Sequence, residues 1–215
     1  MKMRWYILFL FVILILLVGC TKVIIIDKEK ISDNAELIEK EIEGHTMFDI
    51  NYTWNGKQYQ NYFDYRYKDS FEWIKANLNQ NDKILCWWDY GHMIRGYTGI
   101  DVVIYAPSKD ILNSVADKKG PEELMDSEIV HDVAYALATD DHKDTLDIMK
   151  QYNASYLFIT QEEKEDYKGR TIASIAGKEL NDNSIITRAT HKGEIPSFLV
   201  AYEDNNVMIY KIRGE

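Results

Sequence analysis

The stretch Lys83-Ile84-Leu85-Cys86-Trp87-Trp88-Asp89-Tyr90-Gly91 carries the most information about the fold of this 215-residue chain. Its first part is apolar after the lysine and has the pattern of a short buried strand. Its second part, residues 87–91 and hereafter the WWDYG run, combines two indoles, a carboxylate, a phenol and a glycine. The stretch predicts a polar site with aromatic walls at the point where a strand ends.

Strands and helices alternate on both sides of this stretch and predict an α/β fold. We expect strands at 84–87, 102–105 and 156–159, and helices at 69–78, 108–116, 121–139, 141–152 and 170–177. Hairpins are predicted at 48–65, around the Asn55-Gly56 turn, and at 198–212. The prediction is therefore a mixed, helix-rich domain with a small central sheet and peripheral hairpins.

The N-terminus has the composition of a membrane-targeting segment. Lys2 and Arg4 precede the apolar run Trp5–Val18, which is shorter than the ~20 residues of a spanning helix. Gly19-Cys20 resembles a lipobox, so residues 1–20 fit a signal peptide cleaved before a lipidated Cys20. An uncleaved signal anchor fits as well, and both place the following residues outside the cytoplasm.

Two further regions follow the targeting segment. Residues 21–45 are predicted to form a membrane-proximal stalk, with an amphipathic helix over Asp27–Glu43 because the apolar residues there recur at roughly helical spacing. Residues 46–215 have a length that suits a single globular domain.

Composition excludes several classes of function. A net charge of -10 argues against nucleic acid as a partner, because phosphate binding needs a basic face. With only Cys20 and Cys86, no disulfide framework is implied. The histidines have no metal-ligand spacing, so neither a metal nor another cofactor is expected.

The WWDYG run matches the signature of the catalytic subunits of oligosaccharyltransferases, the membrane enzymes that attach glycans to asparagine. Residues 65–180 resemble the C-terminal globular domain of archaeal members, including the segments 71–75 and 131–159. In that family the motif holds the acceptor peptide and does not perform the transfer. The resemblance therefore implies a substrate-binding role for Trp87, Trp88, Asp89, Tyr90 and Gly91.

A second family motif, Asp-x-x-Lys-x-x-x-Ile or Met, has a counterpart after the last predicted inner strand. Here Glu165, Lys168 and Ile172 have the required spacing, with glutamate in place of aspartate and Gly169 inside the expected helix. The resemblance implies that these residues belong to the same binding site and that Ile172 touches the methyl group of an acceptor threonine.

The chemistry of the WWDYG run agrees with recognition of a hydroxyl group. A Ser or Thr hydroxyl donates one hydrogen bond and accepts two, so the indole N–H groups of Trp87 and Trp88 and the carboxylate of Asp89 would saturate it. Because consecutive strand residues point to opposite faces, the chain must turn there. The alternative is structural: Trp87 in the core, Trp88 packed at the surface and Asp89 capping a helix.

Three hypotheses follow about function. We expect a membrane-tethered, extracytoplasmic domain that binds Asn-x-Ser/Thr acceptor peptides and is related to protein N-glycosylation. It is not expected to catalyse transfer alone, since the family's catalytic site lies in a multi-span domain and this sequence has one apolar segment. The alternatives are a detached subunit that completes a separately encoded transmembrane transferase, and a surface lipoprotein that keeps the WWDYG run for packing.

Overall fold

The computed structural model describes residues 23–114, 123–164, 166–191 and 194–214. These ranges contain nine strands in two sheets, together with seven α-helices. The mixed α/β class predicted from the sequence is confirmed.

The first sheet is antiparallel, and its four strands follow one another in chain order. They are β1 (Val23–Ser32), β2 (Ala35–Ile42), β3 (His45–Trp54) and β4 (Lys57–Phe63). The predicted hairpin at Asn55-Gly56 is confirmed. Both turn residues have positive φ, 49° and 78°, as a tight two-residue turn between twisted strands requires.

The helix predicted over Asp27–Glu43 is wrong. This segment forms β1 and β2, which pair from Val23↔Ile42 to Ser32↔Ala35. The helical spacing of its apolar residues was misleading, because the turn-forming pair Asp33-Asn34 divides the segment and β-branched residues favour strands on either side. Since β2 is hydrogen-bonded to β3, residues 23–42 are part of the sheet. That they separate the domain from a membrane stays a prediction.

The second sheet is mixed and has the strand order β6-β5-β7-β9-β8. Its strands are β5 (Lys83–Leu85), β6 (Asp101–Val102), β7 (Tyr156–Thr160), β8 (Phe198–Glu203) and β9 (Val207–Ile212). β5 lies parallel to both β6 and β7, and β9 is antiparallel to β7 and β8. All five residues of β7 are buried, as expected for a central strand. The strand predicted at 102–105 is shorter, because the chain leaves the sheet after Val102.

Five of the seven helices correspond to predicted ones. The helices are α1 (Lys68–Asn77), α2 (Trp88–Thr98), α3 (Lys109–Ser114), α4 (Ser127–Ala138), α5 (His142–Gln151), α6 (Asp166–Ala176) and α7 (Ile185–Thr190). α4 begins later than predicted, where the Asp126 carboxylate accepts a hydrogen bond from the Glu128 N–H at 2.8 Å. The sequence pattern did not predict α7.

Helix α2 lies in the centre of the molecule, with every residue from Tyr90 to Thr98 buried. Two glycines let it approach its neighbours closely. A Cβ on Gly91 would lie 2.2 Å from the Ile104 carbonyl oxygen, and one on Gly96 would lie 2.7 Å from Ile50 Cγ1 of β3. The helix that begins with the WWDYG run is therefore held between the first sheet and the chain that follows β6.

Across the ranges that the structure describes, no helix has both the length and the apolar composition needed to cross a membrane. The predicted targeting segment, residues 1–20 with Cys20, lies outside those ranges.

Candidate functional site

The chain turns sharply between the two tryptophans of the WWDYG run. Trp87 has extended backbone angles (φ -69°, ψ 150°), and α2 begins at the next residue, Trp88. The two indoles therefore stack on each other, with ring centroids 3.9 Å apart, instead of pointing to opposite faces. Trp87 is 1% exposed and Trp88 is half-buried. The buried indole thus fixes the orientation of the more exposed one.

A cleft of about 1340 Å³ opens beside this turn. The cleft is lined by residues 57–62 of β4, by Trp88, Asp89 and Tyr90 of the WWDYG run, and by Lys168 of α6. The site predicted from the sequence is thus bordered by a hairpin that the sequence did not connect with it.

Lys168 joins the second motif to the first. Its Nζ lies 3.3 Å from Asp89 Oδ2 and donates a hydrogen bond to Tyr90 Oη at 3.0 Å, across 78 residues of sequence. It also donates to Glu162 Oε2 at 2.8 Å and lies 4.7 Å from the centroid of the Tyr90 ring. The structure therefore brings Lys168 together with Asp89 and Tyr90, whereas its role in binding stays a prediction.

Lys168, Asp89, Tyr90 and Glu162 form a cluster, hereafter the Lys168 cluster, in which ion pairs maintain the charges despite partial burial. Burial is the largest single influence and disfavours the charged forms of Lys168 and Glu162, but their hydrogen bonds and the attraction of neighbouring opposite charges together outweigh it. The pKa of Lys168 is therefore raised, with Asp89 contributing. The pKa of Glu162 is lowered, with a further hydrogen bond from Arg66 contributing. The cluster presents a fixed ammonium group among carboxylates at the wall of the cleft.

Asp89 and Trp88 are the members of the WWDYG run that a ligand could reach as a polar pair. The Asp89 side chain is 38% exposed, and the Trp88 indole borders the same cleft. Asp89 also lies in the first turn of α2, where a carboxylate is favourable to the helix dipole. Trp87, in contrast, lies in the core behind Trp88, so the structure presents one indole donor and not the two that the sequence suggested.

Gly91 and Ile172 act through packing in this structure. Gly91 has the Ile104 carbonyl oxygen where a side chain would begin, so its role is to let the chain pass close to α2. Ile172 is on α6, one turn after Lys168, and is fully buried. Contact between Ile172 and a threonine methyl would require α6 to move. Glu165 lies outside the described residues.

His92 lines the cleft and is packed among its neighbours. It is 6% exposed, and its Nδ1 lies 2.6 Å from Tyr52 Oη. Burial and the nearby Arg95 lower its pKa to about 4, so the ring is neutral at pH 7. Nε2 has no hydrogen-bond partner among the described residues. Either Tyr52 Oη or His92 Nδ1 can donate in their hydrogen bond, and in both cases Nε2 is a buried polar atom without a partner. The sequence feature that pointed to His92 was its position directly after the WWDYG run.

Glu123 closes the far end of the cleft. Its Oε2 accepts hydrogen bonds from Tyr59 Oη at 3.0 Å and Tyr105 Oη at 2.9 Å, and it forms an ion pair with Lys57. These contacts connect β4 to the chain that follows β6. The sequence offered no signal for them, because the partners lie far apart in the chain.

Comparisons with known proteins identify the fold. The C-terminal globular domain of an oligosaccharyltransferase from Archaeoglobus fulgidus (AfAglB-S2) matches 70% of this chain and 99% of its own length, with a TM-score of 0.54 and 16% identity. A second C-terminal globular domain of an oligosaccharyltransferase from that organism matches 71% and 98%, with a TM-score of 0.46 and 18% identity. The first likeness shows that this chain has the fold of such a domain, which confirms the predicted resemblance at the level of the fold.

A curated relative matches over a short segment. The dolichyl-phosphooligosaccharide-protein glycotransferase 2 of Pyrococcus horikoshii is 54% identical over 28 residues. This segment is 13% of the present chain and 4% of the length of that protein. No protein-family model matches the chain.

Proposed function

We propose that this chain is a peptide-binding domain related to protein N-glycosylation, which holds a Ser- or Thr-containing segment of an acceptor protein in its cleft. The observation that carries the proposal is the convergence of Trp88, Asp89 and Tyr90 with Lys168. Two motifs that the resemblance assigned to one binding site meet at one wall of one cleft. The fold shared with an oligosaccharyltransferase C-terminal domain supports the proposal.

The side chains at this wall suit a hydroxyl group. The hydroxyl donates to the Asp89 carboxylate and accepts from the Trp88 indole N–H, and stacking on Trp87 holds that indole in place. The Lys168 ammonium group, 3.3 Å from Asp89 Oδ2, holds this carboxylate in place. A ligand without the hydroxyl would cover both polar groups and leave them unpaired, which is the main source of selectivity in such sites.

The setting of the domain is part of the proposal. The basic residues and apolar run in residues 1–20 support attachment to a membrane, with the domain on its extracytoplasmic side. Transfer of a glycan to the bound segment would then be the task of a multi-span transferase partner. The acceptor peptide, the membrane and this transferase are the partners that we propose.

Asp89→Ala tests the proposal against a purely structural role of the WWDYG run. We expect the full chain to bind an Asn-x-Thr peptide at least about tenfold more tightly than its Asn-x-Ala counterpart, since the latter leaves Asp89 and Trp88 unpaired. In the Asp89→Ala variant this preference should disappear. Calorimetric titration in detergent measures both affinities.

Asp69→Ala is the matched control, because Asp69 is also an exposed aspartate in the first turn of a helix, α1. Both variants should lose less than about 1 kcal/mol of unfolding free energy, as expected for exposed first-turn carboxylates. Only the Asp89 variant should lose the preference for threonine. If both variants retain it, the hydroxyl is not read by Asp89.

A further inference from the structure

The outer edge of β4 is open. β4 is the last strand of the first sheet, and no strand in the described ranges pairs with its outer side. Because the Asn55-Gly56 turn has two residues, the residues flanking it form a hydrogen-bonded pair, and hydrogen-bonded and non-hydrogen-bonded pairs alternate from there. The backbone N–H and C=O groups of Gln58, Gln60 and Tyr62 therefore point away from β3.

β4 is also the most regular of the edge strands. Its pairing with β3 runs from Trp54↔Lys57 to Phe48↔Phe63 without interruption. The edge strands β1 and β8 both have register shifts, which bend an edge and hinder further pairing. The remaining edge strand, β6, has two residues. Among the described strands, β4 thus has the edge best suited to accept another strand.

This edge runs along the cleft of the candidate site. Six consecutive residues, 57–62, line the cleft. Because neighbouring residues of a strand point to opposite faces, a cleft that all six border follows the edge of the sheet and not one of its faces. Six strand residues extend about 20 Å, which matches an extended peptide of similar length. Trp88 and Asp89 border the same cleft.

A buried polar atom at the same cleft also lacks a partner. His92 Nε2 is buried and has no hydrogen-bond partner within the part of the chain that the structure describes. A buried polar atom of this kind is costly unless a bound group satisfies it. The open edge of β4 and His92 are independent features, and both indicate a ligand that supplies backbone hydrogen-bonding groups.

We propose that the cleft holds its ligand by strand addition: an extended segment of another polypeptide pairs through its backbone with the outer edge of β4, while its Ser or Thr hydroxyl reaches Asp89. The inference rests on the proposed function and specifies how the peptide lies in the site. Backbone pairing with an edge strand gives affinity without regard to side chains. Selection is then left to the hydroxyl contact, so that acceptor segments of many sequences can bind.

A scan of backbone N-methylation in the ligand tests strand addition. Each amide of a short Asn-x-Thr peptide is methylated in turn, and binding to the full chain in detergent is measured by calorimetry. In an added strand alternate amides face β4, so methylation should weaken binding at least about tenfold at every second position and have little effect between them. Losses without this alternation would overturn the inference.

Gln58→Pro removes the corresponding donor from the protein. The Gln58 N–H points away from β3, so proline deletes an outward donor and no ladder bond, as edge strands tolerate. We expect peptide affinity to fall at least about tenfold. Gln58→Ala removes the same side chain but keeps the N–H, so the loss of affinity should be much larger for proline than for alanine. If the proline variant is not folded by circular dichroism, the methylation scan decides alone.

The two proposals fail in different ways. If the unmodified Asn-x-Thr peptide binds with its threonine preference but methylation shows no alternation, strand addition is wrong and the proposed function stands. If that peptide does not bind at all, the proposed function fails and strand addition fails with it.

Discussion

At the scale of single residues, Glu163 is a carboxyl group in an environment without solvent. It interacts electrostatically with Lys168, is fully buried, and accepts one hydrogen bond, from the Thr160 N–H at 2.7 Å. Its Oε1 has no partner among the described residues. Burial raises the pKa of Glu163 to about 8, although the Thr160 N–H and Lys168 oppose that shift. The carboxyl group is therefore largely protonated in the folded protein at pH 7.

This pKa shift predicts a loss of stability as the pH rises from 4.5 to about 8. Below the unfolded pKa of 4.5 the group is protonated in both states. From there to pH 8 only the folded state keeps its proton, so the free energy of unfolding falls as pH rises, by about 1 kcal/mol per pH unit near pH 7–8. His92 contributes little to this slope, because its effect on stability is confined to the range between its folded pKa of about 4 and its unfolded pKa of 6.5. Glu163→Gln should remove this slope in urea unfolding, and equal slopes in both proteins would contradict the assignment.

Sequence reasoning identified the residues of the candidate site that carry a motif and missed those defined by burial. Lys168 was identified because the spacing of the second motif can be recognised in the sequence itself. His92 was marked only by its position after the WWDYG run and Glu163 by no feature, since nothing in the sequence shows that an imidazole or a carboxyl group will be enclosed. Trp87 was assigned to the ligand, whereas the stacking of the two indoles places it behind Trp88.

At the scale of elements, α2 depends on its glycines. It is enclosed on all sides, so close approach of the neighbouring chain is possible only where a side chain is absent. At Gly91 the neighbour is backbone, the Ile104 carbonyl oxygen, which cannot move without displacing the chain after β6. At Gly96 the nearest atoms belong to the side chains of Ile50 and Tyr52, which have more freedom to adjust.

The two glycines should therefore differ in their tolerance of alanine. Gly91→Ala should cost about 3 kcal/mol or more of unfolding free energy, beyond the helix propensity that alanine gains. Gly96→Ala should cost about 1–3 kcal/mol, the usual range for overpacking that side chains absorb. Urea unfolding of both variants measures the difference. A smaller loss for Gly91→Ala than for Gly96→Ala would mean that α2 is not fixed by the backbone at Ile104.

Elements with local signals were predictable and those decided by distant contacts were not. The Asn55-Gly56 turn specified its hairpin because both residues adopt positive φ readily. Residues 27–43 were assigned to a helix because their apolar spacing fits either period, and pairing with β3 decides the outcome. α7 has no strong amphipathic pattern, and packing against other elements determines it.

At the scale of the whole molecule, the cleft exists because the first sheet packs beside the helix that begins with the WWDYG run. The sequence predicted an α/β fold and a polar site, but not that β4 would border the site, since this depends on contacts such as those of Tyr59 and Tyr105 with Glu123. The fold likeness to an oligosaccharyltransferase domain and the cleft together support one account, in which the chain presents an acceptor segment to a transferase.

The most direct test of that account is ¹⁹F NMR of the full chain in detergent, labelled with fluorotryptophan. The sequence has five tryptophans, so each resonance can be assigned by single substitution. Trp88 lines the cleft, and Trp73, which packs against Tyr202, serves as the internal reference. The account predicts that an Asn-x-Thr peptide shifts the Trp88 resonance and leaves Trp73 unchanged, and that the Asn-x-Ala peptide at the same concentration shifts Trp88 much less. A Trp88 resonance that responds to neither peptide, or equally to both, would contradict it.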